Sequence, residues 1–254
     1  SALLADDPDW RTRQRARGVI DIGDVFVVPQ LLSDDLLAPA AREAVQRALY
    51  PHEAARADLP VAPLSIAERA LDLVFSLNPT VKLFVIGGDH STAWPAVAAL
   101  VRARTRRLGA PALAIVQPDA HTDLLPERLG IPICFATWSY HANELIGRKQ
   151  RLVQVGTRAS RFPREHWEST LDVRQFWAAE CRRDPQAALT ALVDHVAALG
   201  LPVYFSNDID GPDAATHDAF RGVEGSFAES LRILRAARAC GVAVQINTSV
   251  GPHN

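Results

Sequence analysis

Between about residues 80 and 210 the chain repeats one arrangement: a short unbroken apolar run, a knot of polar residues at its carboxyl end, then a segment of helical character. Lys82 to Ile86 leads into Gly87-Gly88-Asp89-His90-Ser91 and a helix through about Arg107. Ala112 to Val116 leads into Asp119-Ala120-His121-Thr122-Asp123, and Arg151 to Val155 into Gly156-Thr157-Arg158. Val203 to Phe205 leads into Ser206-Asn207-Asp208-Ile209-Asp210. Strands buried on both faces read as unbroken apolar runs, and their alternation with helices predicts an α/β fold: a mostly parallel sheet with helices on both faces. In such sheets the ligand site lies beyond the carboxyl ends of the strands, where these polar residues fall.

The flanks are plainer. A strand-like Asp24-Val25-Phe26-Val27-Val28 follows a polar opening, and Pro39 to Leu49 reads as a helix. Ser65 caps a helix with Ile66, Ala70, Leu73 and Val74 at helical spacing, stopped at Asn78-Pro79. Beyond Asp210 come a helical stretch to Ala239 and a strand-like Val242 to Ile246. The length of 254 residues predicts one α/β domain over residues 1–254, with an atypical segment from about 211.

Composition removes several classes of function. A net charge of −2 gives no electrostatic reason for nucleic acid or an anionic membrane as partner, so a small polar substrate is expected. The longest apolar runs fall far short of the roughly 20 residues that cross a bilayer. Ser1 to Arg17 is charged and lacks the apolar core of a signal peptide, which predicts a cytoplasmic address. Cys134, Cys181 and Cys240 are odd in number and widely spaced, as expected of reduced thiols rather than a disulfide framework.

Chemistry concentrates in three places. Asp119, His121 and Asp123 stand at i, i+2 and i+4, so an extended backbone points all three to one side, and Asp208 and Asp210 repeat the spacing. Four carboxylates at strand ends repel one another unless a cation neutralises them. With His90 and His121 added, the donor set is oxygen-rich and free of thiolate, which suits Mn²⁺ better than structural zinc. Such a set can serve one ion, and with bridging carboxylates it serves two. A two-metal pair about 3.5 to 4 Å apart lowers the pKa of a bound water towards neutrality. Each motif also has a plain reading: Gly87 to His90 as a tight strand-to-helix turn with a capping Asp, Asp119 to Asp123 as a polar loop, and Asp208-Ile209-Asp210 as an Asp-x-Asp turn. Their joint occurrence, each after a buried-strand pattern, favours the metal.

The three segments resemble the signature of the ureohydrolase superfamily (arginase, agmatinase, formimidoylglutamase), which has Gly-Gly-Asp-His, Asp-Ala-His-x-Asp and Ser-x-Asp-x-Asp in that order. The matching residues are Gly87 to His90, Asp119 to Asp123 and Ser206 to Asp210. The resemblance implies an arginase-like three-layer fold and two manganese ions. One ion would be held by His90, Asp119, Asp123 and Asp208, and the other by Asp119, His121, Asp208 and Asp210. It further implies cleavage of a C–N bond in a guanidino or amidine compound, and admits a homo-oligomer. Asp119, His121 and Asp208 are then the catalytic candidates.

Two departures bear on activity. Arginases usually carry a proton-shuttling His before a Gly-x-Pro turn, where this chain has Leu129 before Gly130-Ile131-Pro132. His141 is the candidate in its stead, against the plainer reading of a hydrogen-bonded structural group. For the Glu that grips the substrate cation, only Glu224 and Glu229 offer themselves. From about Asp210 the chain instead resembles the middle of a radical SAM domain. The residues are Asp210-Gly211, His217-Asp218, Phe220-Arg221-Gly222, Gly225-Ser226-Phe227 and Gln245-Ile246-Asn247-Thr248. No Cys-x₃-Cys-x₂-Cys loop accompanies them, so no iron–sulfur centre is assigned. The readings are therefore a dinuclear hydrolase, a metal-binding scaffold without turnover, or a chimera with a radical SAM-like segment.

Overall fold

The apolar runs become parallel strands. The structure, a computed structural model, describes residues 9–25, 33–208, 213–221, 224–239 and 243–247. The strand expected at Asp24 to Val28 falls largely outside them. The chain divides into two units, Ser1–Ile66 and Ala67–Asn254.

In the first unit, α1 spans Trp10–Ala16 and α2 spans Pro39–Leu49, with Pro39 at its start where a missing N–H costs nothing. The Asp34 carboxylate accepts the backbone N–H groups of Val61 (3.0 Å) and Ala62 (2.7 Å). Buried Gln46 donates to the carbonyls of Ala57 (3.0 Å) and Leu59 (2.7 Å), so α2 is tied to the segment after it. α3, Pro63–Leu77, runs across the boundary.

The second unit is built on six strands: β1 Phe84–Gly87, β2 Ala114–Pro118, β3 Leu152–Thr157, β4 Arg174–Trp177, β5 Val203–Asp208 and β6 Ala243–Asn247. Every pairing is parallel, in the order β1-β6-β5-β2-β3-β4. The helices are α4 Ala93–Leu108, α5 Trp138–Leu145, α6 Arg164–Leu171, α7 Ala178–Arg183, α8 Pro185–Leu199, α9 Ala214–Arg221 and α10 Ser226–Ala239. Gly109, at φ 74°, supplies the left-handed residue that ends α4.

Alternation along each strand feeds two cores. Leu113, Ile115, Leu152 and Tyr204 pack with Ala96, Val97 and Val101 of α4, Trp138 and Ala142 of α5, and Trp167 of α6. On the other face Val116, Val153, Phe176 and Phe205 pack with Leu192 and Val196 of α8 and with Phe227 and Leu231 of α10. These are the three layers expected from the pattern. β1 departs from it: as the edge strand it leaves Phe84 and Ile86 exposed rather than buried on both sides.

After β2 the chain moves to β3 on one side and, after β4, returns to place β5 on the other. The crevice at the carboxyl ends of β2 and β5 is thus a topological switch point. Asp119 follows β2 there, and Asp208 closes β5. Cys134 and Cys181 are free thiols, while Cys240 lies outside the described residues. Among the described residues no helix is long and apolar enough to cross a membrane.

Ile115 is fully buried in the middle of β2. Ile115→Ala should lower unfolding stability by about 2–5 kcal/mol, the range for deleting a buried aliphatic side chain. Urea denaturation checks it, and a loss below about 1 kcal/mol would contradict this packing.

Candidate metal centre

A turn, not the strand itself, delivers His90. A Cβ on Gly87 would lie 1.9 Å from Thr92 Oγ1 and 2.6 Å from Thr92 Cβ, so only glycine admits the reversal that follows β1. The Asp89 carboxylate accepts the backbone N–H of Ser91 (2.8 Å) and also its hydroxyl, which caps the 3₁₀ turn His90–Thr92. The His90 ring is thereby buried, its centroid 4.7 Å from that of fully buried Trp138 of α5, with the two planes tilted by 39°.

His90 Nδ1 faces two carboxylates, Asp119 Oδ2 at 3.0 Å and Asp123 Oδ2 at 3.1 Å. Neither contact has hydrogen-bond geometry, so Nδ1 is a buried polar atom set between two carboxylates. The opposite nitrogen, Nε2, lies 3.0 Å from Ser206 Oγ. A proton on Nε2 given to that hydroxyl frees Nδ1 as a ligand. The donor atoms of His90, Asp119 and Asp123 all lie within 4.8 Å of one another and are buried, a spacing that fits a divalent cation.

Asp119 and Asp123 are held individually. Gln117 Nε2 donates to Asp119 Oδ2 (2.9 Å), and the backbone N–H of His121 donates to Asp119 Oδ1 (2.9 Å). Asp123 sits at φ 50° in the left-handed region, and its Oδ2 accepts the Trp138 indole N–H (3.0 Å).

Expected as an extended i, i+2, i+4 row, this segment is instead a turn closed by the Asp119 carboxylate. Asp119 and Asp123 point inward, whereas the His121 side chain is 65% exposed, its Nδ1 3.5 Å from Asp119 Oδ1. Asp208 is described only through its backbone, and Asp210 lies outside the described residues. His141 does not join the cluster: its Nε2 lies 3.0 Å from the Pro126 carbonyl and its ring makes edge contacts with Trp94 and Tyr140. Glu224 is exposed, and Glu229 is paired on the surface with Arg232.

Trp138 and Gln117, which lie outside the three motifs, and Ser206, which opens the third, hold the cluster. The available signal was an amide directly after an apolar run, as at Gln117.

Electrostatically the three groups shift one another. Burial works to lower the His90 pKa, but the adjoining Asp119 and Asp123 carboxylates outweigh it and raise it to about 10. Burial also works to raise Asp119, yet His121 and His90 hold it well below the usual carboxylate range. For Asp123, burial and then the Asp119 charge push the pKa up to about 6.

With this geometry in place, the relationships are direct. The Arginase family pattern matches residues 4–237, and the chain belongs to the arginase family. An agmatinase of Bacillus subtilis is 28% identical over 165 residues, 62% of this chain and 51% of the agmatinase. An AdoMet-dependent heme synthase of Nitratidesulfovibrio vulgaris is 55% identical over 49 residues, 19% of this chain and 13% of that protein. The chain thus spans about half or less of the length of these curated relatives. Trypanosoma cruzi formiminoglutamase with Mn²⁺ matches at a TM-score of 0.56 and 20% identity, over 80% of this chain and 65% of the other, which shows a shared fold.

A raised histidine pKa stabilises the fold fully below the unfolded value near 6.5, and the contribution disappears as pH rises through the folded value. In chelator-treated protein, stability should therefore decline from pH 6.5 up through about 10. His90→Asn should lack that decline. Guanidinium titrations across the window check this, and parallel curves for the two proteins would disprove the ion-pair assignment.

Proposed function

We propose that the chain binds two Mn²⁺ ions and hydrolyses a C–N bond of a small guanidino or amidine compound. One observation carries the dinuclear reading: the two oxygens of Asp119 face two different imidazoles, Oδ2 towards His90 and Oδ1 towards His121. A carboxylate so placed can bridge. His90, Asp119, Asp123 and Asp208 would hold one ion, and Asp119, His121, Asp208 and Asp210 the other. Divalent cations there supply Lewis acidity and lower the pKa of water towards neutrality.

The chain's own residues do the rest. Trp138 excludes water from behind His90 and holds Asp123 by its N–H. Exposed His121 stands on the solvent side, where a polar substrate enters. Family membership, the agmatinase likeness and the manganese in the related formiminoglutamase support the same reading.

A second reading rests on the 49-residue likeness to heme synthases: a metal-binding chimera whose C-terminal segment binds AdoMet. Calorimetric titration with AdoMet separates it, since no heat of binding excludes it.

Purified protein should take up about two Mn²⁺ per chain and release urea from agmatine or 4-guanidinobutyrate, or formamide from a formimino compound. Metal analysis and product assays check this. Asp119→Ala should remove both ions together, whereas Asp123→Ala should mainly weaken one. Folded wild-type protein that takes up no manganese would end the proposal, and loss of a single ion from Asp119→Ala would end the bridging role.

A further inference from the structure

Three glutamines stand side by side across the sheet. Gln117 of β2 is in register with Gln154 of β3, and Gln154 with Gln175 of β4. All three are fully buried. One step towards the amino ends of the strands, on the same face, lie Ile115, Leu152 and Val173, which fill their space with aliphatic groups. Burying amides costs free energy unless every donor and acceptor is met, so a wholly apolar second row would have been the simpler solution.

The amides are met, and in one direction. The Trp177 indole N–H donates to Gln175 Oε1 (2.9 Å), and Gln175 Nε2 donates to Gln154 Oε1 (2.7 Å). Gln154 Nε2 donates to Gln117 Oε1 (2.9 Å), and Gln117 Nε2 donates to Asp119 Oδ2 (2.9 Å). The two ends fix the polarity. An indole can only donate and an ionised carboxylate can only accept, so each amide between them has one permitted orientation. Gln117 is locked further, because its Oε1 also accepts the Ser139 hydroxyl (2.8 Å). Gln154 donates as well to the backbone carbonyl of Thr122, between His121 and Asp123.

We propose that Trp177, Gln175, Gln154 and Gln117 form a directional relay that positions Asp119 and the loop carrying His121 and Asp123. These are positioning residues: Trp177, Gln175 and Gln154 act on the carboxylate only through Gln117. The relay keeps an amide donor aimed at Asp119 Oδ2, so that oxygen keeps its orientation towards His90. Aligned hydrogen bonds in a buried network also polarise one another, which strengthens the final bond to Asp119. Its effect on manganese rests on the proposed metal site, while its existence does not.

The test has two arms. In metal-free protein labelled with ¹⁵N, Trp177→Phe keeps the ring and removes the N–H. The side-chain amide resonances of Gln175, Gln154 and Gln117 should all shift, although only the first touches Trp177. An unmoved Gln117 resonance would overturn the relay. In the metal arm, Gln117→Met should weaken Mn²⁺ binding about 10–100-fold, as loss of an outer-shell partner does elsewhere, and Gln154→Met should weaken it in the same sense. Thermal unfolding without metal serves as the control, since a merely structural role would change stability and leave affinity alone. Wild-type affinity retained within twofold in both folded variants would refute positioning. A wild-type protein without manganese affinity would refute the metal site, leaving the amide spectra to decide the relay.

Discussion

An ionised carboxylate taken out of water loses more solvation than one hydrogen bond restores, so a buried one dictates what surrounds it. The Asp119 side chain is 1% exposed at the end of the central strand β2. Its neighbourhood is organised around that charge: the His90 ring on one side, the Gln117 amide beneath, and the His121 backbone N–H above. Each neighbour needs its own support. His90 depends on the Gly87 turn and on Trp138, and Gln117 on its row of amides.

The sheet makes that concentration of polarity tolerable. Apolar rows seal both faces of the strands, and the buried row of glutamines stands next to them on the side of the carboxyl ends. Strand order then brings distant segments to one crevice, since β5 sits beside β2 although β3 and β4 intervene in sequence. Ser206, near the end of β5, meets His90 because the turn after β1 carries the imidazole to it past the intervening β6.

Much of this was legible in the residues. The apolar runs at Lys82, Ala112, Arg151, Val203 and Val242 each became a strand within a few positions, and α2 spans Pro39–Leu49 as its pattern indicates. His90, Asp119 and Asp123 were legible as a cluster because charge at buried strand ends needs a counter-charge. The outward turn of His121 was not, because the Asp119 carboxylate bonds the chain locally and defeats the period of an extended strand. Nor was the glutamine row. Register decides whether three polar residues on separate strands meet, and register is not written in any one segment. The short β4 carries too few residues for a periodic signal, and the open face of β1 reflects its place at the sheet edge.

β1 has β6 as its partner among the described strands, and His90 meets Ser206 across 116 residues of chain. Contacts of such span are the slowest to form, because the intervening chain must surrender its freedom before any of them brings a return. The β2–β3 and β3–β4 pairings enclose far shorter stretches of chain and close at a lower entropic cost. The join between His90 and Ser206 thus depends on β6, which fills the place between β1 and β5 in the sheet.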